Sequence, residues 1–468
     1  MNQCMNHRLE KDLIGEMYIP EQFYFGIQTQ RALQNFDLSH NKLHQYPRFI
    51  ESLAIVKLAA AKANLKLKHL TAEKYQAIEF ACNEILKGRY HDQFQLDMLQ
   101  GGAGTSTNMN INEVIANIGL EYLGHAKGQY QFLHPNNDVN MAQSTNDVYP
   151  TAIKVALIFM LDELLLPFAA LNQALKLKAK EFESVLKMGR TQLQDAVPMT
   201  LGQEFHAFAH TLNKDLELLK SIIPQSLYAV NLGGTAIGTG LNASQAYREL
   251  AVAELAELVQ KPMHSAENLI EATSDMGEFV LISGLLKRTA TKLSKIANDL
   301  RLLSSGPRTG FAEIQLEARQ AGSSIMPGKV NPVIPEALSI SCFEVIANDL
   351  AVTLAADAGQ LQLNAMEPLI AFKLFESIEI LKNAMIMFKD KCVVSIQANT
   401  EHCQNLVENS IGIVTALNPY LGYETTTRLA QTAFRENKSV IELIRYEQLM
   451  TEQQIQQILS IQNMTQST

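Results

Sequence analysis

The stretch DMGEFVLISGLLKRTATKLSKIANDLRLLSS, residues 275–305, has the sequence pattern of one long helix. It contains glycine but no proline, so nothing in it forces a helix to stop. Its apolar side chains recur every three or four residues and fall close to one helical face. They are Leu281, Leu285, Leu286, Leu293, Ile296, Leu300 and Leu303. The stretch therefore predicts a helix with a continuous apolar face.

Four further segments are long, apolar and nearly free of residues that break a helix. They are residues 151–186, 201–223, 335–358 and 367–394. A helix of about 35 residues is roughly 50 Å long, so several such segments predict a central bundle. Their high apolar content indicates burial on more than one side, and hence an oligomer. Alternating strand patterns are scarce, and the sequence predicts a predominantly all-α fold.

The chain of 468 residues is longer than one hydrophobic core usually supports, so we expect more than one domain. Residues 1–142 are expected to form a mixed, mostly helical N-terminal domain. Residues 143–397 are expected to form the central long-helix bundle. Residues 398–468 are expected to form a small C-terminal helical domain.

The composition is that of a globular protein, with 47% apolar and 19% charged residues, which argues against disorder. The net charge of -9 offers no general attraction to nucleic acid or to an anionic membrane. The five cysteines lack metal-type spacing, and the first residues contain no apolar signal segment. We therefore expect a cytoplasmic protein with reduced thiols that binds neither nucleic acid nor membrane.

Four segments rich in glycine, hydroxyl and amide residues lie between the helical segments and form the candidate site. They are residues 101–110 (GGAGTSTNMN), 134–147 (HPNNDVNMAQSTND), 189–198 (GRTQLQDAVP) and 322–332 (GSSIMPGKVNP). Their hydroxyls, amides and accessible backbone offer hydrogen-bond donors for an oxyanion. In the last segment, glycines and prolines surround two serines, a lysine and an asparagine. This composition is typical of a mobile binding loop.

Each segment also has an ordinary structural interpretation. The first is typical of a glycine-rich turn and an N-cap before a helix beginning at Ile111. Asn146 or Asp147 is suited to capping a helix that begins after residue 150. The third segment is typical of a polar connector between two helices, with Arg190 and Asp195 as a local ion pair. The fourth is then a long surface loop.

Two other patterns imitate known sites but lack the surroundings of those sites. The glycines in residues 233–240 have no flanking strand and helix, and no Walker lysine follows them. His206 and His210 share a helical face, but no third zinc ligand is apparent. The sequence therefore predicts no nucleotide cofactor and no metal at these places. The absence of a GxSxG elbow also argues against a hydrolase.

Taken together, the four polar segments resemble those of the aspartase/fumarase superfamily. Residues 322–332 look like the signature loop of that family at every position. The resemblance extends from LIG at residues 13–15 to SIGIVTALNP at residues 410–419. Fumarases typically have histidine after Gly-Arg-Thr, whereas this chain has Gln192, as in one branch of the aspartases. Four further segments resemble aspartases and differ from fumarases; they are residues 268–275, 302–308, 332–336 and 359–368.

The resemblance implies a three-domain fold whose long helices form a multi-helix core in a D2 homotetramer, with each site shared between three subunits. It also implies an aspartase, which splits L-aspartate reversibly into fumarate and ammonia. The proton leaves Cβ, and the intermediate is an aci-carboxylate. This chemistry requires no cofactor. Some aspartases are activated by a divalent cation such as Mg²⁺, for which the sequence shows no recognisable site.

The same resemblance implies roles for individual residues. Ser323 matches the general base of the family. The matches that stabilise the aci-carboxylate are Thr105, Ser144, Thr145 and Ser324. The matches that hold the α-carboxylate are Lys329 and Asn331, and those near the amino group are Thr191, Asn146 and Gln192.

Two residues depart from the family pattern, and two other functions stay open. Asn137 stands where Asp is usual, and Met141 where Lys is usual, so the secondary anion site that fumarases form nearby is called into question. One alternative function is that of a fumarase, which hydrates fumarate to malate. The other is a superfamily scaffold used as a binding protein. A binding scaffold is expected to have lost the catalytic residues of the loop, yet Ser323, Lys329 and Asn331 are present.

Overall fold

The structure is a computed structural model that describes residues 6–322, 324–326 and 328–465. Helices dominate this part of the chain. The first eight are α1 (Ile27–Asn35), α2 (Pro47–Lys66), α3 (Ala72–Leu86), α4 (Thr105–Tyr122), α5 (Thr145–Glu181), α6 (Leu201–Leu227), α7 (Gln245–Val259) and α8 (Glu271–Ser274). The others are α9 (Gly277–Leu303), α10 (Val333–Asp357), α11 (Glu367–Lys391), α12 (Thr400–Asn409), α13 (Val414–Glu436), α14 (Val440–Tyr446), α15 (Glu452–Ile458) and α16 (Ile461–Thr465).

The strands of the described residues are short and form two-stranded sheets. The antiparallel pairs are β1 (His7–Lys11) with β2 (Glu16–Pro20), β3 (Leu186–Thr191) with β4 (Gln194–Thr200), and β7 (Ile314–Gln315) with β8 (Gln397–Ala398). The parallel pair is β5 (Ala229–Val230) with β6 (His264–Ser265). These pairs join or flank helices, and the predominantly helical fold expected from the sequence is confirmed.

The five long helices α5, α6, α9, α10 and α11 occupy the five segments in which the sequence predicted them. Helix α6 runs to Leu227 instead of ending near residue 223, and Pro224 lies in its last turn. A proline there removes only one backbone donor close to the helix end, so the last turn persists. Spacing of apolar residues thus predicted helix positions well and helix ends less well.

The described chain folds into two compact units. The first comprises Met1–Leu164, Leu218–Lys287 and Glu344–Ile380. The second comprises Leu165–Glu217, Arg288–Phe343 and Leu381–Thr468. The boundaries between them fall within the five long helices. The division into three domains made from the sequence stays a prediction.

The core of the first unit includes the packing of α2 on α3 and α7, and of α3 on α4. Leu53, Ile78 and Ile111 are fully buried there, and burying one such side chain contributes about 1.5–3 kcal/mol. The same packing removes water from two polar side chains, Lys57 of α2 and Asn108 of α4. Buried polar groups need partners inside the protein, and these two find theirs at the candidate site.

In the second unit, the β3–β4 hairpin packs against C-terminal helices. Met188 of β3 shares one apolar cluster with Val407 of α12, Leu429 of α13 and Ile444 of α14. This cluster holds the base of the hairpin. Its turn, which carries two of the predicted site residues, therefore has a fixed support.

Helix α10 stands out among the described residues because it is long and apolar enough to cross a membrane by length and composition alone. A core helix of a soluble protein passes the same test. Ile340, Phe343, Leu350 and Leu354 follow one another at helical spacing and are 57–67% exposed. This apolar stripe lies uncovered on the single chain.

Candidate active site

Helix α4 brings Thr105 to one side of the candidate site. The helix begins at Thr105, so the expectation of a start at Ile111 is wrong. Gly104 before it has a φ of 84°, and a Cβ at this position would overlap the ring of Tyr149. Only glycine allows this turn to pack directly on the first turns of α5. The N-terminal ends of α4 and α5 therefore lie side by side.

Helix α5 begins at Thr145, several residues before the start expected after residue 150. The reason is the carboxylate of Asp147, which accepts a hydrogen bond from the backbone N–H of Ser144 at 3.0 Å. It also accepts backbone N–H groups from Gly233 at 3.0 Å and Thr235 at 2.9 Å. Burial raises the pKa of Asp147 to about 6, and these bonds oppose the rise. The helix start is thus secured by a distant loop.

That loop, residues 231–240, is a part of the site that sequence analysis missed. Asn146 Nδ2 donates to the carbonyl oxygen of Ala236 at 2.7 Å, and Asn231 Nδ2 donates to the carbonyl of Asn146 at 3.0 Å. From the sequence alone, the glycines of this loop only imitate those of a nucleotide loop. Their proximity to α5 has no local signal, because the two segments are far apart in sequence.

A buried lysine lies beneath Thr145 and was also missed. Lys57 Nζ donates to Asn108 Oδ1 at 2.7 Å, Asn140 Oδ1 at 2.7 Å and Gln143 Oε1 at 3.0 Å. Asn108 Nδ2 in turn donates to Thr145 Oγ1 at 3.1 Å. Complete burial lowers the pKa of Lys57 to about 7, while the charge of Asp147 favours the ammonium form. A lone lysine inside an apolar helical segment was the available signal.

The first unit therefore brings Thr105, Ser144, Thr145 and Asn146 to two adjacent helix N-termini. The helix dipoles place partial positive charge at such ends, although several of their backbone N–H groups already have partners, such as Gln100 Oε1 for Thr107 and Ser144 Oγ for Asn146. The hydroxyls of Ser144 and Thr145 add further donors, whereas the Thr105 hydroxyl donates to the carbonyl of Gly102 at 2.8 Å in this structure. This arrangement suits the binding of a carboxylate and the stabilisation of added negative charge on it.

Two other predicted residues lie on the turn of the β3–β4 hairpin in the second unit. Thr191 ends β3, and Gln192 follows with a φ of 54°. The segment connects two helices, α5 and α6, as expected, and it does so as an antiparallel hairpin. Leu193, the second turn residue, also has a positive φ of 62°, and such turns usually contain glycine or asparagine. The usual sequence signal for a hairpin was therefore missing.

The hairpin is anchored by a buried carboxylate. Arg190 Nη1 lies 2.6 Å from Glu313 Oε1, and Lys187 Nζ lies 3.0 Å from Glu313 Oε2. The local pair expected between Arg190 and Asp195 is present but loose, at 3.9 Å. Two cations around one buried carboxylate give a geometry that is costly to disturb. They hold the turn with Thr191 and Gln192 in place.

The last group of predicted residues belongs to a large cleft of the second unit. The cleft has a volume of about 1370 Å³, and Lys329 and Asn331 line it. Its other charged lining residues are Lys178, Arg301, Glu181, Glu317 and Glu336. Ser324 is exposed on the same segment. Ser323, the predicted general base, lies outside the described residues.

Metal ligation has no obvious centre in the part of the chain that the structure describes. Within residues 6–322, 324–326 and 328–465, no three His, Cys, Asp or Glu side chains are grouped to hold a metal ion. His206 and His210 lie on one face of α6 with ring centroids 6.3 Å apart. The site groups described above are hydroxyls, amides, backbone donors and lysines.

Comparison with known proteins gives the family. Residues 15–347 match the family described as Lyase, and residues 413–466 match the family described as Fumarase C C-terminus. A Pseudomonas aeruginosa protein named aspartate ammonia-lyase is 61% identical over 464 residues, which cover 99% of this chain and 98% of that protein.

Solved structures agree with this match. A Brucella melitensis structure described as fumarate lyase:delta crystallin has a TM-score of 0.96 at 50% identity, covering 99% of this chain and 100% of that one. A class II fumarase from Schistosoma mansoni has a TM-score of 0.93 at 35% identity, covering 98% of this chain and 99% of that one. The predicted resemblance is confirmed, and the chain belongs to the aspartase/fumarase superfamily of lyases.

Proposed function

We propose that this protein is a carbon–nitrogen lyase that converts L-aspartate reversibly into fumarate and ammonia. The observation that carries the proposal is the 61% identity, over nearly the whole chain, to a relative named aspartate ammonia-lyase. Gln192 supports this reaction over fumarate hydration, because fumarases typically have histidine there. A cytoplasmic location is part of the proposal, and the free, buried thiols of Cys82, Cys342, Cys392 and Cys403 are typical of a reducing compartment.

The main chemical demand is to stabilise the aci-carboxylate. Removing the Cβ proton places a second negative charge on the β-carboxylate, so donors must already point to where that charge develops. Thr105, Ser144 and Thr145 are assigned this role, because they lie at the adjacent N-termini of α4 and α5. Ser324 of the loop 322–332 is assigned to the same group.

The other two ends of the substrate need different partners. Lys329 and Asn331 are assigned to the α-carboxylate, which takes a charge-assisted bond from the ammonium and a neutral one from the amide. Thr191, Asn146 and Gln192 are assigned to the amino group. The exposed hairpin turn with Thr191 and Gln192 is free to reach a substrate, while the Glu313 anchor holds its base.

Ser323 is assigned as the general base that removes the Cβ proton. A serine hydroxyl is too weak an acid to do this unaided, so fixed dipoles and exclusion of water must favour its ionised form. Closure of the loop 322–332 over bound substrate is proposed to supply both. The reaction as proposed requires no metal or organic cofactor. Activation by a divalent cation such as Mg²⁺ stays open.

We further propose a D2 homotetramer in which three subunits contribute to each site. The apolar stripe of α10 supports this, because Ile340, Phe343, Leu350 and Leu354 are exposed on one chain and a second copy would remove them from water. Such a stripe on a long helix is typical of a helix packed in a bundle between subunits.

Sharing of sites has a direct test by complementation. Variants altered at Ser323 and at Thr191 are each expected to be nearly inactive. If the two residues serve one site from different subunits, mixed tetramers contain some sites in which both are intact. Co-assembled variants should therefore regain part of the wild-type rate, whereas remixing either variant with itself should not. Full activity in a sedimenting monomer would contradict the proposal.

The choice between aspartase and fumarase is tested by following the fumarate absorbance band. Purified protein mixed with L-aspartate and no added cofactor is expected to produce fumarate, and added ammonia should slow the net reaction. L-Malate is expected to give little or none. Ready conversion of malate without conversion of aspartate would assign a fumarase instead. Absence of either reaction in a folded protein would favour a binding scaffold.

A further inference from the structure

The contact between Asn108 and Thr145 has a direction that Lys57 determines. The amide oxygen of Asn108 lies 2.7 Å from Lys57 Nζ, whose ammonium form has three donors and no acceptor. The other end of the amide, Nδ2, lies 3.3 Å from Asn140 Oδ1, which is an acceptor because Asn140 Nδ2 donates to the carbonyl of Gln143. The amide nitrogen therefore faces Thr145 Oγ1, at 3.1 Å. Lys57 and Asn140 together remove the usual ambiguity between the two ends of an asparagine amide.

The environment of Lys57 leaves it no alternative partner. Three amide oxygens surround its Nζ, those of Asn108, Asn140 and Gln143, and each takes one proton. Lys57 and Asn108 are 0% and 2% exposed, so water does not compete for either group. The orientation of the Asn108 amide is therefore built into the interior before any substrate arrives.

This orientation decides what the Thr145 hydroxyl can do. A hydroxyl has one proton and two lone pairs, and here one lone pair accepts from Asn108 Nδ2. Among the described residues, Thr145 Oγ1 donates no hydrogen bond to a protein acceptor. Its proton is thus left for a group outside the protein interior, at the junction of α4 and α5.

We propose that Asn108 is a positioning residue, held by Lys57, that keeps the Thr145 hydroxyl oriented as a donor toward the substrate carboxylate. The inference rests on the proposed function, in which Thr145 stabilises the aci-carboxylate. The donor is then oriented in advance, so no reorganisation is needed when the second negative charge develops on the β-carboxylate. Among the described residues, the side chain of Asn108 hydrogen-bonds to Thr145, Lys57 and Asn140.

Asn108→Asp tests the direction of the contact while keeping the shape of the side chain. The carboxylate still accepts from Lys57, but both of its oxygens are acceptors, so the Thr145 hydroxyl turns inward and donates to it. We expect kcat to fall by about 100-fold, comparable to losing one oxyanion donor. The melting temperature should not fall, because the new carboxylate pairs with a buried ammonium.

Asn140→Asp is the matched control. It places the same charge 2.7 Å from the same Lys57 Nζ, but Asn140 has no hydrogen bond to Thr145. Its kcat should stay within about threefold of the wild-type value, because no oxyanion donor is turned away. Equal losses in the two variants would overturn the proposal and assign the effect to neutralisation of Lys57.

Asn108→Ala separates positioning from simple support of the packing. Alanine leaves the Thr145 hydroxyl free to rotate, so kcat should fall only about 10-fold, less than with aspartate. If Asn108 only supported the packing, the alanine variant would lose more activity than the aspartate variant. Alanine opens a cavity in the interior, and aspartate does not. If the aspartate variant does not fold, the alanine variant still tests the proposal. Its effect on kcat is then compared between the wild-type protein and the Thr145→Val protein.

The double-mutant cycle closes the test. If Asn108 acts through the Thr145 hydroxyl, changing Asn108 in the Thr145→Val protein should cost little further activity. Undiminished losses in that background would overturn the proposal. The wild-type protein is assayed alongside with aspartate and with malate. If the proposed reaction is wrong, the wild-type protein will not convert aspartate. If only the positioning role is wrong, the wild-type protein will convert aspartate, and the kcat ratios between the variants will differ from those expected.

Discussion

Ser323→Ala is expected to lower kcat for aspartate deamination by at least about three orders of magnitude, the combined loss of a general base and of its orientation. Substrate binding should change little, because Lys329, Asn331, Thr105 and Thr145 still contact the two carboxylates in the proposed site. The measurement is steady-state kinetics with L-aspartate, together with a thermal melt of the variant.

The matched control for this change is Ser304→Ala. Ser304 lies in the wall of the cleft that Lys329 lines, and within the described part of the chain its hydroxyl bonds only to the carbonyl of Arg301. Removing that hydroxyl should leave kcat near the wild-type value. If Ser323 is only a loop residue, its alanine variant will also turn over near normally. A folded Ser323→Ala protein that keeps more than about a tenth of the activity would exclude Ser323 as the base.

Lys329→Ala is expected to act mainly on KM. The ammonium makes a charge-assisted contact with the α-carboxylate in both ground and transition states, so its loss weakens binding throughout the reaction. Such a contact is worth about 1.5–3 kcal/mol, which corresponds to roughly a 10- to 100-fold rise in KM. The fold should survive, because Lys329 is exposed in the cleft. Titration of initial rates against aspartate concentration gives both constants.

Arg301→Ala distinguishes a direct contact from the general field of the cleft. Arg301 also lines the cleft, and its guanidinium lies 3.9 Å from Glu336, too far for a strong pair. Removing its charge should raise KM by less than about threefold, because exposed charges at a distance are screened by water and salt. A rise equal to that of Lys329→Ala would mean that the charge of the cleft cations, and not a direct Lys329 contact, binds the carboxylate.

The fold class could be predicted from sequence because helices are encoded locally. In residues 275–305, apolar side chains every three or four positions predicted α9, and similar patterns predicted α5, α6, α10 and α11. The family followed from residues 322–332, since a short loop that carries its chemistry in adjacent side chains can be recognised without its surroundings. The roles of Ser323, Lys329 and Asn331 stay predictions, and they depend on that resemblance.

The interior of the site was decided by the tertiary structure. Lys57, Asn108 and Thr145 lie on three helices, and the direction of their hydrogen bonds depends on which atoms meet in a buried space. The carboxylate of Asp147 and the backbone of Gly233 likewise meet from distant parts of the chain. Apolar spacing reports which face of a helix is buried. It does not report which polar groups will be buried together. A buried donor needs an acceptor, but the sequence around the donor does not specify which residue supplies it.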